Sequence, residues 1–169
     1  MRQMITQVTL MLAPAIAATA QTPVPRPTPM RQIACSFPTP LPPAYLSFAQ
    51  PTWVMRARGA SMNKALMLDL ITRTHFMTVP GHKPATGTFG GMVGFNVTMP
   101  GVYHVAIGSA VWVDVIKGRA KIEPTGHQPG PTCTVVRKIV DFTLEPGRYT
   151  LQFSSSAQPI VVFEVVKDS

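Results

Sequence analysis

Val97-Thr98-Met99-Pro100-Gly101-Val102-Tyr103-His104-Val105-Ala106-Ile107 is echoed later by Thr143-Leu144-Glu145-Pro146-Gly147-Arg148-Tyr149-Thr150-Leu151-Gln152-Phe153. Each copy is a β-forming run, a Pro-Gly pair, and a second run that opens with x-Tyr and alternates apolar with other residues. Proline presets φ at the first corner and glycine accepts positive φ at the second, as a type II turn requires. Two such strand-turn-strand units, or PGxY hairpins, predict an antiparallel β-sandwich or jelly roll.

The runs on either side of these turns have the length and spacing of further strands. Strands are predicted over 64–71, 92–98, 102–107, 110–116, 120–123, 134–144, 148–153 and 159–166, with loops over 81–91 and 124–132. Residues 75–79 either continue the first strand or pair with it. Eight or nine short strands fit two packed sheets around one core. We therefore predict an all-β, jelly-roll-like antiparallel sandwich over residues 45–169.

The first 44 residues do not share this pattern. Arg2 is followed by a mostly apolar stretch, and Ala18-Thr19-Ala20 has the small-x-small form that signal peptidase accepts. Residues 1–20 are therefore predicted to be a signal peptide. The apolar stretch is too short to span a membrane, so no transmembrane helix is expected after cleavage. Residues 21–44 contain eight prolines in 24 positions, which predicts an extended Pro-rich linker.

Cys35 and Cys133 are the only cysteines in the chain. Export to the periplasm or beyond the cell places them in an oxidising compartment, where two cysteines usually form one disulfide. Such a bridge would attach the Pro-rich segment to the late part of the domain. A metal site with one thiolate, or a catalytic thiol, is the alternative, but neither cysteine has a second one nearby.

The chain is basic, with 15 Lys and Arg against 7 Asp and Glu and a formal net charge of +8. No run of basic residues interleaves with aromatic residues as a single-strand-binding groove requires. Together with the predicted export, this argues against nucleic acid as a partner. Loose attraction to the anionic cell envelope remains as a consequence of the charge.

Several short motifs resemble those of a known group. They are Phe89-Gly90-Gly91, Ala110-Val111-Trp112-Val113-Asp114-Val115, His127-Gln128-Pro129-Gly130-Pro131-Thr132-Cys133 and Arg137-Lys138. Over about half of the chain, this pattern resembles small exported proteins of Gram-negative bacteria, especially alphaproteobacteria. Some members of that group are labelled homogentisate 1,2-dioxygenase automatically. The resemblance therefore implies an exported β-sandwich protein and raises a non-haem iron dioxygenase as one alternative.

Such a dioxygenase needs two histidines and a carboxylate on one face of an iron ion, with open positions for oxygen and substrate. The chain has four histidines, and the sequence contains no H-x-D or H-x-E pair. The alternative reading takes His104 and His127 as the iron ligands. Otherwise these histidines are surface or loop residues.

One cluster of residues is our candidate binding site. Trp112 and Asp114 share a face of a predicted strand, and His127 lies in the loop before Arg137 and Lys138. An aromatic platform with a carboxylate and two cations suits a sugar or an anionic polymer. In the purely structural alternative, Trp112 packs between the sheets and Asp114 pairs with Arg137 or Lys138.

These observations favour a non-catalytic periplasmic or secreted module with a binding or structural role at the cell envelope. Its expected partner is an envelope glycan, anionic polymer or protein, as in carbohydrate-binding modules of similar architecture. No cofactor is expected under this prediction, and iron is expected under the dioxygenase alternative. The sequence leaves the oligomeric state open.

Overall fold

The computed structural model describes residues 35, 38–55, 59–72 and 74–168. They belong to one compact unit, Cys35–Ser169. The predicted signal peptide, 1–20, and residues 21–34 of the predicted linker lie outside the described residues. None of the helical segments in the described part has the length and apolar character needed to cross a bilayer.

One 3₁₀ helix and ten strands make up the described regular structure. The helix is Pro43–Ala49, and the strands are β1 (Thr52–Trp53), β2 (Leu66–Asp69), β3 (Phe89–Val97), β4 (Gly101–Ile107), β5 (Trp112–Lys117), β6 (Ala120–Ile122), β7 (Gly126–Pro129), β8 (Lys138–Leu144), β9 (Gly147–Ser156) and β10 (Ile160–Lys167).

The strands form two sheets, which confirms the predicted all-β sandwich. The six-stranded sheet has the order β1-β2-β10-β4-β8-β7, and the four-stranded sheet has the order β3-β9-β5-β6. All pairs are antiparallel except β1 with β2. Strands β9 and β10 are interior strands, each flanked by two neighbours in its own sheet.

Alternating apolar side chains from both sheets meet in one core. Val111, Val113 and Val115 lie in this core with the alternate residues of β9 and β10, and Phe153 and Phe163 contact each other with ring centroids 5.1 Å apart. The core strands contribute every second side chain because successive residues point to opposite faces of a sheet. The remaining residues of each strand are left for the outer faces, where the candidate site lies.

The two Pro-Gly turns are not hairpins, which corrects the sequence-based interpretation. The first joins β3 to β4 and the second joins β8 to β9, so each turn crosses from one sheet to the other. Gly101 and Gly147 have φ values of 147° and 152°, whereas a type II turn needs about 80° at its glycine. Both glycines therefore use backbone conformations that L side chains rarely adopt, but in an open arch between sheets.

The two arches lie side by side and are built alike. Gly101 pairs with Leu144, and Val97 pairs with Gly147. The Tyr103 hydroxyl donates a hydrogen bond to the carbonyl of Met99 at 2.6 Å. The Tyr149 hydroxyl does the same to the carbonyl of Glu145 at 2.8 Å. The repeated tyrosine thus holds its own arch closed, like a tyrosine corner.

Four predicted elements or boundaries differ from the structure. Gly90 and Gly91 belong to β3 rather than to a loop. Both positions require glycine, since a Cβ at Gly90 would lie 2.7 Å from the Phe76 ring and a Cβ at Gly91 would lie 2.8 Å from Leu70 Cδ2. Residues 126–129 form the edge strand β7, where Pro129 is tolerated because an edge position has one side without a partner strand. Residues 75–79 form no strand, and residues 134–137 precede β8 outside any strand.

The predicted disulfide between Cys35 and Cys133 is present, with 5.5 Å between the Cα atoms. Beside it, the 3₁₀ helix covers the outer face of the six-stranded sheet, and Tyr45 and Phe48 pack with Ala106 and Ile139 in a second, smaller apolar cluster. Glu164 is buried under this helix and accepts a hydrogen bond from the Ser47 hydroxyl at 2.7 Å.

Candidate functional site

The alternation of β5 places Trp112 and Asp114 on the outer face of the four-stranded sheet. Its valines point into the core, so the residues between them point outward. Strand β6 pairs only with Val115–Lys117 of β5. The first half of β5 therefore has β9 as a neighbour on one side, and the Trp112 side chain remains 42% exposed.

Asp114 holds the indole of Trp112 in place. The Trp112 Nε1–H donates to Asp114 Oδ1 at 3.0 Å, and the backbone N–H of Gly81 donates to Asp114 Oδ2 at 3.0 Å. Asp114 itself is only 5% exposed. Hydrogen bonds to an ionised acceptor are the stronger kind in proteins. The buried carboxylate thus fixes the orientation of an exposed aromatic ring.

Residues 74–83, which we call the strap, cross the same outer face and complete the surroundings of Trp112. Gln152, fully buried and paired in register with Asp114, holds the middle of the strap. Its Oε1 accepts from the Met77 N–H at 3.1 Å, and its Nε2 donates to the Thr78 carbonyl at 3.1 Å. At the end of the strap, His82 stacks on Trp112 with 5.6 Å between ring centroids.

Gly81 is required by the close approach of the strap to the sheet. A Cβ at this position would lie 2.7 Å from Asp114 Oδ1 and 2.9 Å from Trp112 Nε1. Any side chain there would therefore separate the indole from its carboxylate or push the strap outward.

A cleft of about 180 Å³ opens beside the indole, lined by Trp112, Val113, Pro124, His127, Lys138 and Val140. Val113 and Val140 belong to opposite sheets, so the cleft enters the sandwich from its side. Its polar groups are those of His127 and Lys138. Lys138 Nζ lies 5.9 Å from the centroid of the Trp112 ring, within reach of a cation–π interaction.

The ammonium group of Lys138 is the distinctive charge of this cleft. Burial lowers the pKa of Lys138, and the neighbouring Arg137 lowers it further. In the described part of the chain, none of the ion pairs includes Lys138. A partly desolvated cation without a counter-charge is an unfavourable arrangement that an incoming anion would relieve.

The structure brings together three of the five predicted site residues, Trp112, His127 and Lys138, in one cleft. Asp114 lies behind the indole and orients it, rather than facing the cleft. Arg137 is exposed and adjoins Lys138 without lining the cleft. The purely structural alternative differs from the structure in both parts, because Trp112 is not between the sheets and Asp114 binds Trp112 and Gly81.

Sequence reasoning missed the strap, and with it His82, Gly81 and Gln152. The strap has no periodic pattern that places it on a sheet. Gln152 carried a usable signal, since a glutamine inside an apolar run of a predicted strand calls for a buried hydrogen-bond partner.

His104 and His127, the ligands of the iron alternative, lie on opposite faces of the six-stranded sheet. His104 pairs with Asp141 across β4 and β8, whereas His127 pairs with Val140, one position along β8. His104 Nδ1 lies 2.7 Å from Asp141 Oδ1. Among the described residues, no three His, Cys, Asp or Glu side chains are grouped to hold a metal ion.

Comparison with known proteins gives no further assignment: no protein-family model matches the chain, and a search of the curated proteins finds no match.

Proposed function

We propose that the protein is a non-catalytic binding module that acts in the periplasm or outside the cell and binds a glycan or anionic polymer of the envelope. The ligand would contact the cleft formed by Trp112, His127 and Lys138. The observation that carries this proposal is the exposed indole, which a buried carboxylate holds beside Lys138, a cation that forms no ion pair with the described residues.

The energetics of the site support binding. Exposed aromatic rings give a large contact area, and a ring already held in one orientation loses little conformational entropy when a ligand covers it. The Cys35–Cys133 disulfide is compatible with an oxidising compartment, as export requires. The net charge of +8 adds long-range attraction to an anionic surface.

The iron dioxygenase alternative has less support. Its two histidines lie on opposite faces of one sheet, so a single ion would not bind both without rearrangement of β4, β7 and β8. Metal analysis of the purified protein tests this directly. Stoichiometric iron that disappears in a His127→Ala variant would overturn the non-catalytic proposal.

The binding proposal is tested by retention of the mature protein on insoluble peptidoglycan and on alginate beads, with neutral dextran beads as the comparison. Trp112→Ala is the informative variant. Trp53→Ala is its matched control, because Trp53 is the other tryptophan of the chain and is 56% exposed in β1. Circular dichroism checks that both variants fold.

We expect Trp112→Ala to weaken retention on one of the anionic supports by about tenfold or more, as for a binding hot spot. Trp53→Ala should bind like the wild type. Repeating the retention assay at higher salt separates generic electrostatic attraction from specific binding. Salt screens the interaction between exposed charges, but it does not weaken the contact with the indole. Equal retention of the two variants on every support would refute the proposal.

A further inference from the structure

The cleft beside Trp112 has room for one ring. Its volume is about 180 Å³, and a cavity of about 150 Å³ suffices for benzene. The walls formed by Val113, Val140, Pro124 and the indole are apolar. A ligand group that enters the cleft is therefore limited to a six-membered ring or a short acyl group with a small substituent.

The same walls disfavour a heavily hydroxylated group inside the cleft. Each buried hydroxyl needs a hydrogen-bond partner, and the lining side chains offer only those of His127 and Lys138. A sugar ring fully inserted there would leave several hydroxyls without partners. An apolar ring leaves none.

The charge of the cleft indicates which polar substituent the ligand carries. Lys138 supplies one ammonium group that has no carboxylate partner among the described residues. Both oxygens of Asp114 are already occupied by Trp112 and Gly81. One half-buried cation neutralises one negative charge, whereas a dianion such as a phosphate monoester would bring a second charge against apolar walls.

We infer that this cleft binds a small apolar carboxylate, with the ring or acyl group between Trp112, Val113 and Val140 and the carboxylate on Lys138. The inference rests on the proposed binding function of the same site: the polymer contacts the exposed indole, whereas the group that enters the cleft itself is an apolar monoanion of about the size of benzoate. His127, at the cleft, is the second group within the lining that can donate a hydrogen bond to the carboxylate.

The test uses the fluorescence of Trp112 in a Trp53→Phe background, where it is the single tryptophan. Benzoate and cyclohexanecarboxylate are titrated beside benzamide, which keeps the ring without the charge, and glucuronate, which keeps the charge without the apolar ring. The variant is Lys138→Met. Lys117→Met is the matched control, since Lys117 Nζ lies 5.1 Å from the Tyr149 ring, outside the cleft.

We expect saturable changes with the two apolar carboxylates and an affinity at least about tenfold lower for benzamide and glucuronate. Lys138→Met should lower the affinity for the two carboxylates by a similar factor, and Lys117→Met should leave that affinity unchanged. Equal binding of benzoate and benzamide by the cleft with Lys138 in place, or no saturable effect of benzoate, would overturn the inference without requiring the Lys138→Met variant to fold.

The outcome is separable from that of the proposed function. Retention on an envelope polymer that depends on Trp112, without any effect of benzoate, would refute the small carboxylate and leave the binding module in place. Binding of benzoate without retention on any polymer would support the small carboxylate as ligand and refute the binding of an envelope polymer.

Discussion

Replacement of Asp114 by asparagine should destabilise the protein and release the indole of Trp112. The two N–H groups that Asp114 accepts reach different oxygens, one from Trp112 and one from Gly81. An asparagine of the same shape must turn its NH₂ group toward one of these donors. One charge-assisted hydrogen bond is then lost and replaced by an unfavourable contact between two donors, in a position that is only 5% exposed.

Hydrogen bonds to charged groups contribute about 1.5–3 kcal/mol, and a buried donor left without a partner adds about 1–3 kcal/mol. We therefore expect Asp114→Asn to lower the free energy of unfolding by about 2.5–6 kcal/mol, which lowers Tm by roughly 5–25 °C in a domain of this size. The Trp112 anisotropy in a Trp53→Phe background should fall, because the ring has lost its anchor.

Urea unfolding followed by circular dichroism measures the change in free energy. Glu123→Gln is the control, because it also removes one negative charge and is close to Asp114 in the sequence. The Glu123 side chain is 78% exposed, and its Oε1 lies 3.4 Å from Lys121 Nζ. An exposed pair of this kind contributes at most about 1 kcal/mol. If Asp114→Asn unfolds within about 0.5 kcal/mol of the wild type, the anchoring role of Asp114 is wrong.

Three further predictions concern other parts of the fold. Replacement of both Cys35 and Cys133 by serine removes a link across 98 residues. Urea unfolding should show a loss of about 4.7 kcal/mol in the chain-entropy model, and an unchanged midpoint would contradict this prediction. Gly81→Ala should disrupt the indole–carboxylate hydrogen bond and destabilise by about 1–3 kcal/mol, whereas Gly94→Ala, whose Cβ would meet no atom closer than 3.7 Å, should unfold in urea nearly as the wild type does. Burial raises the pKa of Glu164 more than the Ser47 hydrogen bond lowers it, so the ionised form destabilises the folded state. Glu164→Gln should therefore gain Tm relative to the wild type as pH rises above about 4.3, with no gain at lower pH; a gain confined to acid would contradict the sign.

The periodic parts of the sequence predicted the fold well. Apolar alternation in 110–116 separated the core valines from Trp112 and Asp114, and the Pro-Gly pairs located two chain reversals. What they could not reveal is whether a reversal joins neighbours in one sheet or crosses between sheets. Local turn chemistry is similar in both cases, and the choice depends on partner strands far away in the chain.

The sequence predicted only those parts of the candidate site that lie on periodic strands or close to Cys133. Trp112, His127 and Lys138 could be grouped because strand alternation and the position of Cys133 constrain them. His82 and Gly81 could not, since the strap lies on the sheet through hydrogen bonds from two buried polar side chains. Such hydrogen bonds leave no periodic pattern in the sequence. An isolated glycine in a loop indicates flexibility by default, so Gly81 did not predict that the strap comes close to the sheet.

The placement of β9 and β10 in the interior of the two sheets determines when the molecule can fold. Residues 147–167 contain both strands. Strand β9 joins β3 to β5 in one sheet, and β10 joins β2 to β4 in the other. Until that stretch has left the ribosome, neither sheet has its middle, and the loops to be closed are long. Folding of both sheets therefore depends on β9 and β10, the last two strands in chain order, because neither sheet is continuous without its interior strand.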